Sequence, residues 1–173
     1  DTVQLKKILN PFPTEYSATS GQQQPIESIE SPTTLPAESN ADLQVIRANL
    51  KAYEQRDVEI EKGDTFLAKG DIDTAIACYT AAIRLDPKSI DAFYKRGTSF
   101  SLKGNIDGEM ADYAYILQLD VTNTATFNRR GMAFANMNAF DRAISNYSEA
   151  IRINPSFAEA YNNRALAYAN QGQ

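Results

Sequence analysis

The side chains that enzymes use for proton transfer and metal binding are scarce in this chain. Its 173 residues include no histidine and a single cysteine, Cys78. Histidine is the commonest general base and metal ligand, and a thiol nucleophile needs a base beside it. The glycines recur at spacings of 34 and 7 residues, which fits neither glycine-rich phosphate-binding pattern. We therefore expect no catalytic residue, no cofactor, no metal and no small-molecule substrate.

Recognition chemistry, in contrast, recurs at a fixed interval. The side chains at Glu61, Lys95, Arg129 and Asn163 are each 34 residues apart and run from acidic through basic to amide. An amide offers both a hydrogen-bond donor and an acceptor, the pair that a peptide backbone requires. The 34-residue spacing of these side chains indicates that a repeated structural element positions them.

A repeating frame of glycine and aromatic residues surrounds this series. Glycine recurs at residues 63, 97 and 131, an aromatic residue follows three positions later, and a tyrosine follows sixteen positions later. The tyrosines are Tyr79, Tyr113 and Tyr147. A period between 20 and 50 residues is typical of a solenoid, in which small units bury their apolar faces against one another.

Each unit has the pattern of two helices. Apolar residues in 59–69 and 72–85 recur at steps of three and four, which predicts two amphipathic helices. Gly70 followed by Asp71 suits a helix end followed by an N-cap, and Pro87 ends the second helix. The sequence predicts an all-α solenoid of helical hairpins.

These residues resemble the tetratricopeptide repeat (TPR), a helix-turn-helix unit of 34 residues. The resemblance is carried by Lys62-Gly63-Asp64-Thr65-Phe66, Gly70-Asp71, Ala75-Ile76, Tyr79, Ala82-Ile83 and Leu85-Asp86-Pro87, and it covers about two thirds of the chain. It implies a right-handed superhelix with units at 56–89, 90–123 and 124–157 and a partial unit at 158–173. Residues 41–55 are expected to form a helix that caps the first unit.

The resemblance also implies a site. In this family the first helices of successive units line a concave groove that holds segments of partner proteins. The residues expected to bind a protein or peptide there are Glu61, Tyr94, Lys95, Asn128, Arg129, Met132, Asn162 and Asn163. Ion pairs along the row, such as Glu61 with Lys95, are the alternative explanation for the charges.

One subtype of the family is disfavoured. Some members clamp the C-terminal carboxylate of chaperones with lysine, asparagine and arginine at set positions. Those positions here hold Ile60, Asp64, Lys95, Ala125 and Arg129. Only Arg129 matches, and Asp64 would repel a carboxylate.

Composition separates residues 1–40 from the rest. They contain five of the seven prolines, a Gln22-Gln23-Gln24 run and many serines and threonines, so we expect a flexible tail or tether. Its short apolar segment, Leu5–Leu9 followed by Pro11-Phe12-Pro13, is either linker sequence or a docking motif. The net charge of −5 without a basic run makes nucleic acid an unexpected partner.

Two irregular positions and the chain ends leave questions open. Glu109 stands where two other units have alanine, and we expect it to pair with Arg96 or Arg130 or to reach solvent. Val121 replaces the closing proline. The repeat stops at Gln173 after the first helix of a fourth unit, so we expect either a trimmed protein or part of a longer one.

Three function classes follow from these features. The first is a non-catalytic scaffold or adaptor that binds a partner segment in the groove. The second is a structural or assembly subunit of a larger complex, docked through its tail and its open solenoid end, with self-association or indirect membrane association. The third is a regulatory module of a longer enzyme. The lone Cys78 is compatible with either redox compartment, so the cellular location stays open.

Overall fold

Seven α-helices and no strand make up residues 40–172, the part of the chain that the structure, a computed structural model, describes. The helices are α1 (Asn40–Ala68), α2 (Ile72–Leu85), α3 (Ile90–Lys103), α4 (Ile106–Leu119), α5 (Thr124–Asn136), α6 (Phe140–Ile153) and α7 (Ala158–Asn170). The predicted all-α class is confirmed. Residues 1–39 of the predicted tail, with its Leu5–Pro13 segment, lie outside the described residues, as does Gln173, whereas Asn40 is the first residue of α1.

Consecutive helices pack as hairpins. The pairs α1–α2, α3–α4 and α5–α6 form the units, while α2–α3, α4–α5 and α6–α7 join each unit to the next. Helix α7 also contacts α5, so successive first helices lie side by side. Since every helix packs mainly against its sequence neighbours, the array follows the solenoid pattern that the period predicts.

Close contact between glycine and tyrosine holds each hairpin together. Tyr79, Tyr113 and Tyr147 are almost fully buried in the three units. A methyl group added at Gly97 would lie 2.8 Å from the Tyr113 ring, and one added at Gly131 would lie 2.5 Å from the Tyr147 ring. Carbon atoms do not approach so closely, so the repeated glycine is required by packing against the repeated tyrosine.

The turns within the hairpins are built from specific local bonds. Gly70 and Gly104 adopt left-handed conformations with φ of 80° and 75°. The side chains of Asp71 and Asn105 then accept hydrogen bonds from the backbone N–H groups of Thr74 and Gly108, at 3.1 and 3.0 Å. Such N-caps satisfy backbone donors that a helix start leaves free.

The second helices end without depending on proline. Asp86 and Asp120 each accept a hydrogen bond from the backbone N–H two residues later, at 3.0 and 2.9 Å. Helix α4 therefore stops at Leu119 although Val121 stands at the proline position. The aspartate turn explains why the irregular unit keeps the same boundary.

The expected capping segment 41–55 is helical but has no boundary of its own. Helix α1 runs without interruption from Asn40 into the first helix of unit one. Its side chains Val45, Tyr53 and Val58 are 59%, 46% and 49% exposed. Whether this segment covers an open face remains a prediction.

Candidate functional site

The row of polar residues on the first helices forms links between neighbouring units. Lys95 on α3 donates to both carboxylate oxygens of Asp64 on α1, at 2.9 and 2.8 Å. The buried hydroxyl of Tyr79 donates to the same carboxylate at 2.7 Å. Glu61, which the alternative explanation pairs with Lys95, is exposed. Lys95 instead bonds to Asp64, about one helical turn further along α1, where Tyr79 also donates to the carboxylate.

A second link joins α3 to α5. The Nε atom of Arg129 donates to the hydroxyl of Tyr94 at 3.1 Å. This hydrogen bond and the charges around it raise the pKa of the guanidinium, which stays protonated. Tyr94 also lies against Tyr113, with ring centroids 6.1 Å apart. Both residues were predicted at the site, and the structure brings them into direct contact.

The third link joins α5 to α7 through amides. Asn128 is 2% exposed and donates to Oε1 of Glu159 at 3.0 Å. Its own oxygen accepts a hydrogen bond from Asn163, also at 3.0 Å. Asn162 is exposed and forms no side-chain hydrogen bond to another described residue. Asn128 therefore positions its neighbours, while Asn162 and Asn163 keep hydrogen-bonding capacity.

A pocket of about 200 Å³ opens beside this third link, between α5 and α7. It is lined by Met132, Ala135, Asn136, Tyr147, Asn163, Leu166, Ala167 and Asn170. Leu166 is 62% exposed, which is unusual for a large apolar side chain beside a pocket. We call the surface made by Asp64, Tyr94, Lys95, Asn128, Arg129, Met132, Asn163 and Leu166 the groove surface.

A larger pocket of about 720 Å³ lies elsewhere, between α1 and α2. Its lining consists of Lys51, Glu54, Gln55, Val58, Glu59, Lys62, Ala81, Arg84 and Leu85. None of the predicted site residues is among them. Most of these side chains are charged, and Glu59 and Lys62 already pair with each other. The smaller pocket is the better candidate because its lining carries no charged side chain and shares Met132, Asn163 and Leu166 with the groove surface.

The expectation for Glu109 is wrong. Arg96 forms a bidentate ion pair with Asp112, at 2.7 and 2.9 Å, and Arg130 bonds to Asn146 at 2.7 Å. Glu109 is instead only 4% exposed, and its carboxyl group is hydrogen-bonded to Ser101. Burial raises the pKa of Glu109 despite that bond and the nearby charge of Arg129.

Two structural features were not predicted from the sequence, although the spacing of their residues repeats along it. Arg96 and Arg130 are each followed sixteen residues later by a polar side chain, Asp112 or Asn146, which is the offset that the structure pairs. The rim residues Asn136 and Asn170 are also one period apart and both line the pocket. A search for polar pairs at repeated offsets would have found both.

Two negative findings concern the described residues. Among residues 40–172, no helix has the length and apolar character needed to cross a membrane. Within the same range, no group of three acidic, cysteine or histidine side chains is arranged to hold a metal ion.

The family of the chain follows from a direct match. The model for the TPR repeat matches residues 63–104 and 117–172, more than half of the sequence. The chain therefore belongs to the TPR repeat family, as the residues predict. None of the curated proteins matches it significantly.

Several solved structures share the fold. The first TPR of Spaghetti (RPAP3), bound to the HSP90 peptide SRMEEVD, is 22% identical with a TM-score of 0.66, over 70% of this chain and 96% of that one. The Arabidopsis OM64 TPR domain is 20% identical with a TM-score of 0.65, over 68% and 98%. MamA is 24% identical with a TM-score of 0.64, over 76% and 80%.

Proposed function

We propose that this protein is a non-catalytic adaptor that holds a segment of a partner protein along the groove surface. The observation that carries the proposal is the continuity of that surface. Asp64–Lys95, Tyr94–Arg129 and Asn128–Asn163 link four successive first helices, and the last link borders the pocket between α5 and α7. A preformed surface of this kind loses little conformational entropy when a segment binds.

The side chains left free favour a peptide over a small molecule. Asn162 and Asn163 offer amide groups, and Met132 and Leu166 offer apolar contact, at intervals set by the repeat. Amides bind the backbone of an extended chain and apolar pockets bind its side chains. The TPR bound to an HSP90 peptide shows that a domain of the same fold takes a peptide, although that peptide is acidic.

Two glutamate substitutions test this proposal. The full chain is incubated on an array of random 12-residue peptides, once unchanged, once as Leu166→Glu and once as Val121→Glu. Leu166 and Val121 are similarly exposed, at 62% and 69%, but Val121 lies in the α4–α5 turn away from the groove surface. We expect Leu166→Glu to lose most of the peptide signal and Val121→Glu to keep it.

Circular dichroism of both variants checks that they remain folded. An array on which the unchanged chain binds nothing, or on which Leu166→Glu binds as the unchanged chain does, contradicts the proposal.

A further inference from the structure

We infer that the pocket between α5 and α7 selects an uncharged, extended segment that inserts one apolar side chain between Met132 and Leu166. This inference rests on the proposed function and specifies the ligand class for the same surface. Four observations support the inference: the uncharged lining of the pocket, the position of the charged side chains near it, its volume, and the asparagines that line it.

The lining of the pocket carries no charge. Its eight residues are apolar or carry an amide, apart from Tyr147. Burial raises the pKa of the Tyr147 phenol to about 12, so the phenol is neutral at physiological pH. A charged ligand group in this pocket would lose water without gaining a partner of opposite charge.

The charged side chains near this pocket are not part of its lining. Oε1 of Glu159 accepts the hydrogen bond from Asn128, and Nε of Arg129 donates to Tyr94. On the first two units, Lys95 and Asp64 form an ion pair. A charged ligand group inserted into the pocket would therefore meet no charge of opposite sign among the lining residues.

The size of the pocket fits one side chain. A volume of about 200 Å³ compares with the roughly 150 Å³ of an apolar cavity that accommodates benzene. Met132 and Leu166 stand at equivalent positions of units three and four, on α5 and α7, and both line the pocket. A single leucine, methionine or phenylalanine of a ligand would contact both.

The rim of the pocket supplies backbone contacts. Asn136 and Asn170 lie at equivalent positions on α5 and α7, and their amides form no hydrogen bond to another described residue. Asn163 uses one amide N–H to bond Asn128 and keeps its oxygen as an acceptor. Three amides around an apolar floor suit an extended backbone on either side of an inserted side chain.

The composition of the bound peptides on the random 12-residue array tests the inference. We expect the strongest binders to contain a leucine, methionine or phenylalanine flanked by uncharged residues. The best binder is then resynthesised with that residue changed to aspartate, and separately with its C-terminal carboxylate amidated. Fluorescence anisotropy should show at least tenfold weaker binding for the aspartate version, about 1.4 kcal/mol, and less than a twofold change on amidation.

The outcomes separate this inference from the proposed function. Binders that are rich in acidic or basic residues, or that need a free carboxylate, overturn the inference while a loss on Leu166→Glu still supports a groove-binding adaptor. An array without binders, or binding that Leu166→Glu leaves unchanged, overturns both. Uncharged apolar binders that are lost in Leu166→Glu and retained in Val121→Glu support both.

Discussion

The two halves of the groove surface use the same backbone positions for opposite purposes. In the first half, Asp64 is bonded to Tyr79 on its own hairpin and to Lys95 on the next. In the second half, the equivalent positions hold Met132 and Leu166, which line a pocket without charged side chains. Thr98 lies between them, with its hydroxyl 3.4 Å from that of Tyr113.

This difference separates what the repeat determines from what each side chain determines. The glycine–tyrosine contact gives every hairpin the same geometry, so equivalent positions face the same way in each unit. The first half uses its polar groups to join helices α1 and α3. The second half leaves apolar and amide groups exposed, and these are the groups that the proposed function assigns to a partner.

The largest expected effect concerns the frame that both halves share. Tyr113→Ala and Tyr147→Ala should each lower the free energy of unfolding by about 3–5 kcal/mol, because each removes a buried ring against a glycine backbone. Urea unfolding followed by circular dichroism measures both. A loss near zero at either tyrosine would show that the two halves do not share this frame.

Removing the partners of the two partly buried arginines should lower the free energy of unfolding by smaller and unequal amounts. Asp112→Ala leaves Arg96 partly buried without its carboxylate, and we expect a loss of about 3 kcal/mol. Asn146→Ala removes an uncharged amide that accepts from Arg130 and donates to the carbonyl of Arg142, and we expect a loss of about 1–2 kcal/mol. Equal losses in urea unfolding would contradict the distinction.

The pH dependence of stability should also differ between the two halves. The first half contains the buried Glu109, and the equivalent position in the second half is Ala143. Burial raises the pKa of Glu109 in the folded state above its unfolded value, so folding favours the protonated acid. Its contribution to stability is therefore fully present below the unfolded pKa, and it is lost as pH rises through the folded pKa.

Glu109→Gln should thus be neutral at pH 4 and stabilising by about 1 kcal/mol at pH 7. Urea unfolding of both proteins at the two pH values gives this difference, in which the other titrating groups cancel. A larger gain at pH 4 than at pH 7 contradicts the argument. A loss above about 2 kcal/mol at pH 7 would show that the Glu109 carboxylate is required.

The smallest effect is expected at the exposed ion pair of the first half. Lys95→Ala should cost about 0.5–1 kcal/mol, because Lys95 and Asp64 are 29% and 45% exposed, solvent screens them, and Asp64 keeps its hydrogen bond from Tyr79. Binding of the array-selected peptide, measured by anisotropy, should change less than twofold. A tenfold loss of binding would place the ligand in the first half.

The fold could be predicted from the sequence because its determinants are local and repeated. Gly131 and Tyr147, sixteen residues apart, specify a hairpin, and the 34-residue period specifies the stack. The sequence also indicates where α4 ends, because Asp120 is one period after Asp86. Both side chains accept a hydrogen bond from the backbone N–H two residues later.

The pairing of charges could not be predicted as well. The alternative explanation pairs Lys95 with Glu61, whereas the structure pairs it with Asp64, which the Tyr79 hydroxyl also contacts across the hairpin. Glu109 was assigned to arginines that Asp112 and Asn146 already occupy. The 34-residue period predicts which face of its helix a side chain occupies. Which side chains bond to each other depends on the distances between neighbouring helices, which the period does not give.

Chemical-shift mapping of the full chain tests the central claim most directly. Amide resonances are recorded by NMR during titration with the array-selected uncharged peptide. The account predicts that the largest shifts fall on α5 and α7, at Met132, Asn163 and Leu166, and that Asp64 and Lys95 hardly move. Largest shifts at Asp64 and Lys95, with α7 unchanged, would contradict it.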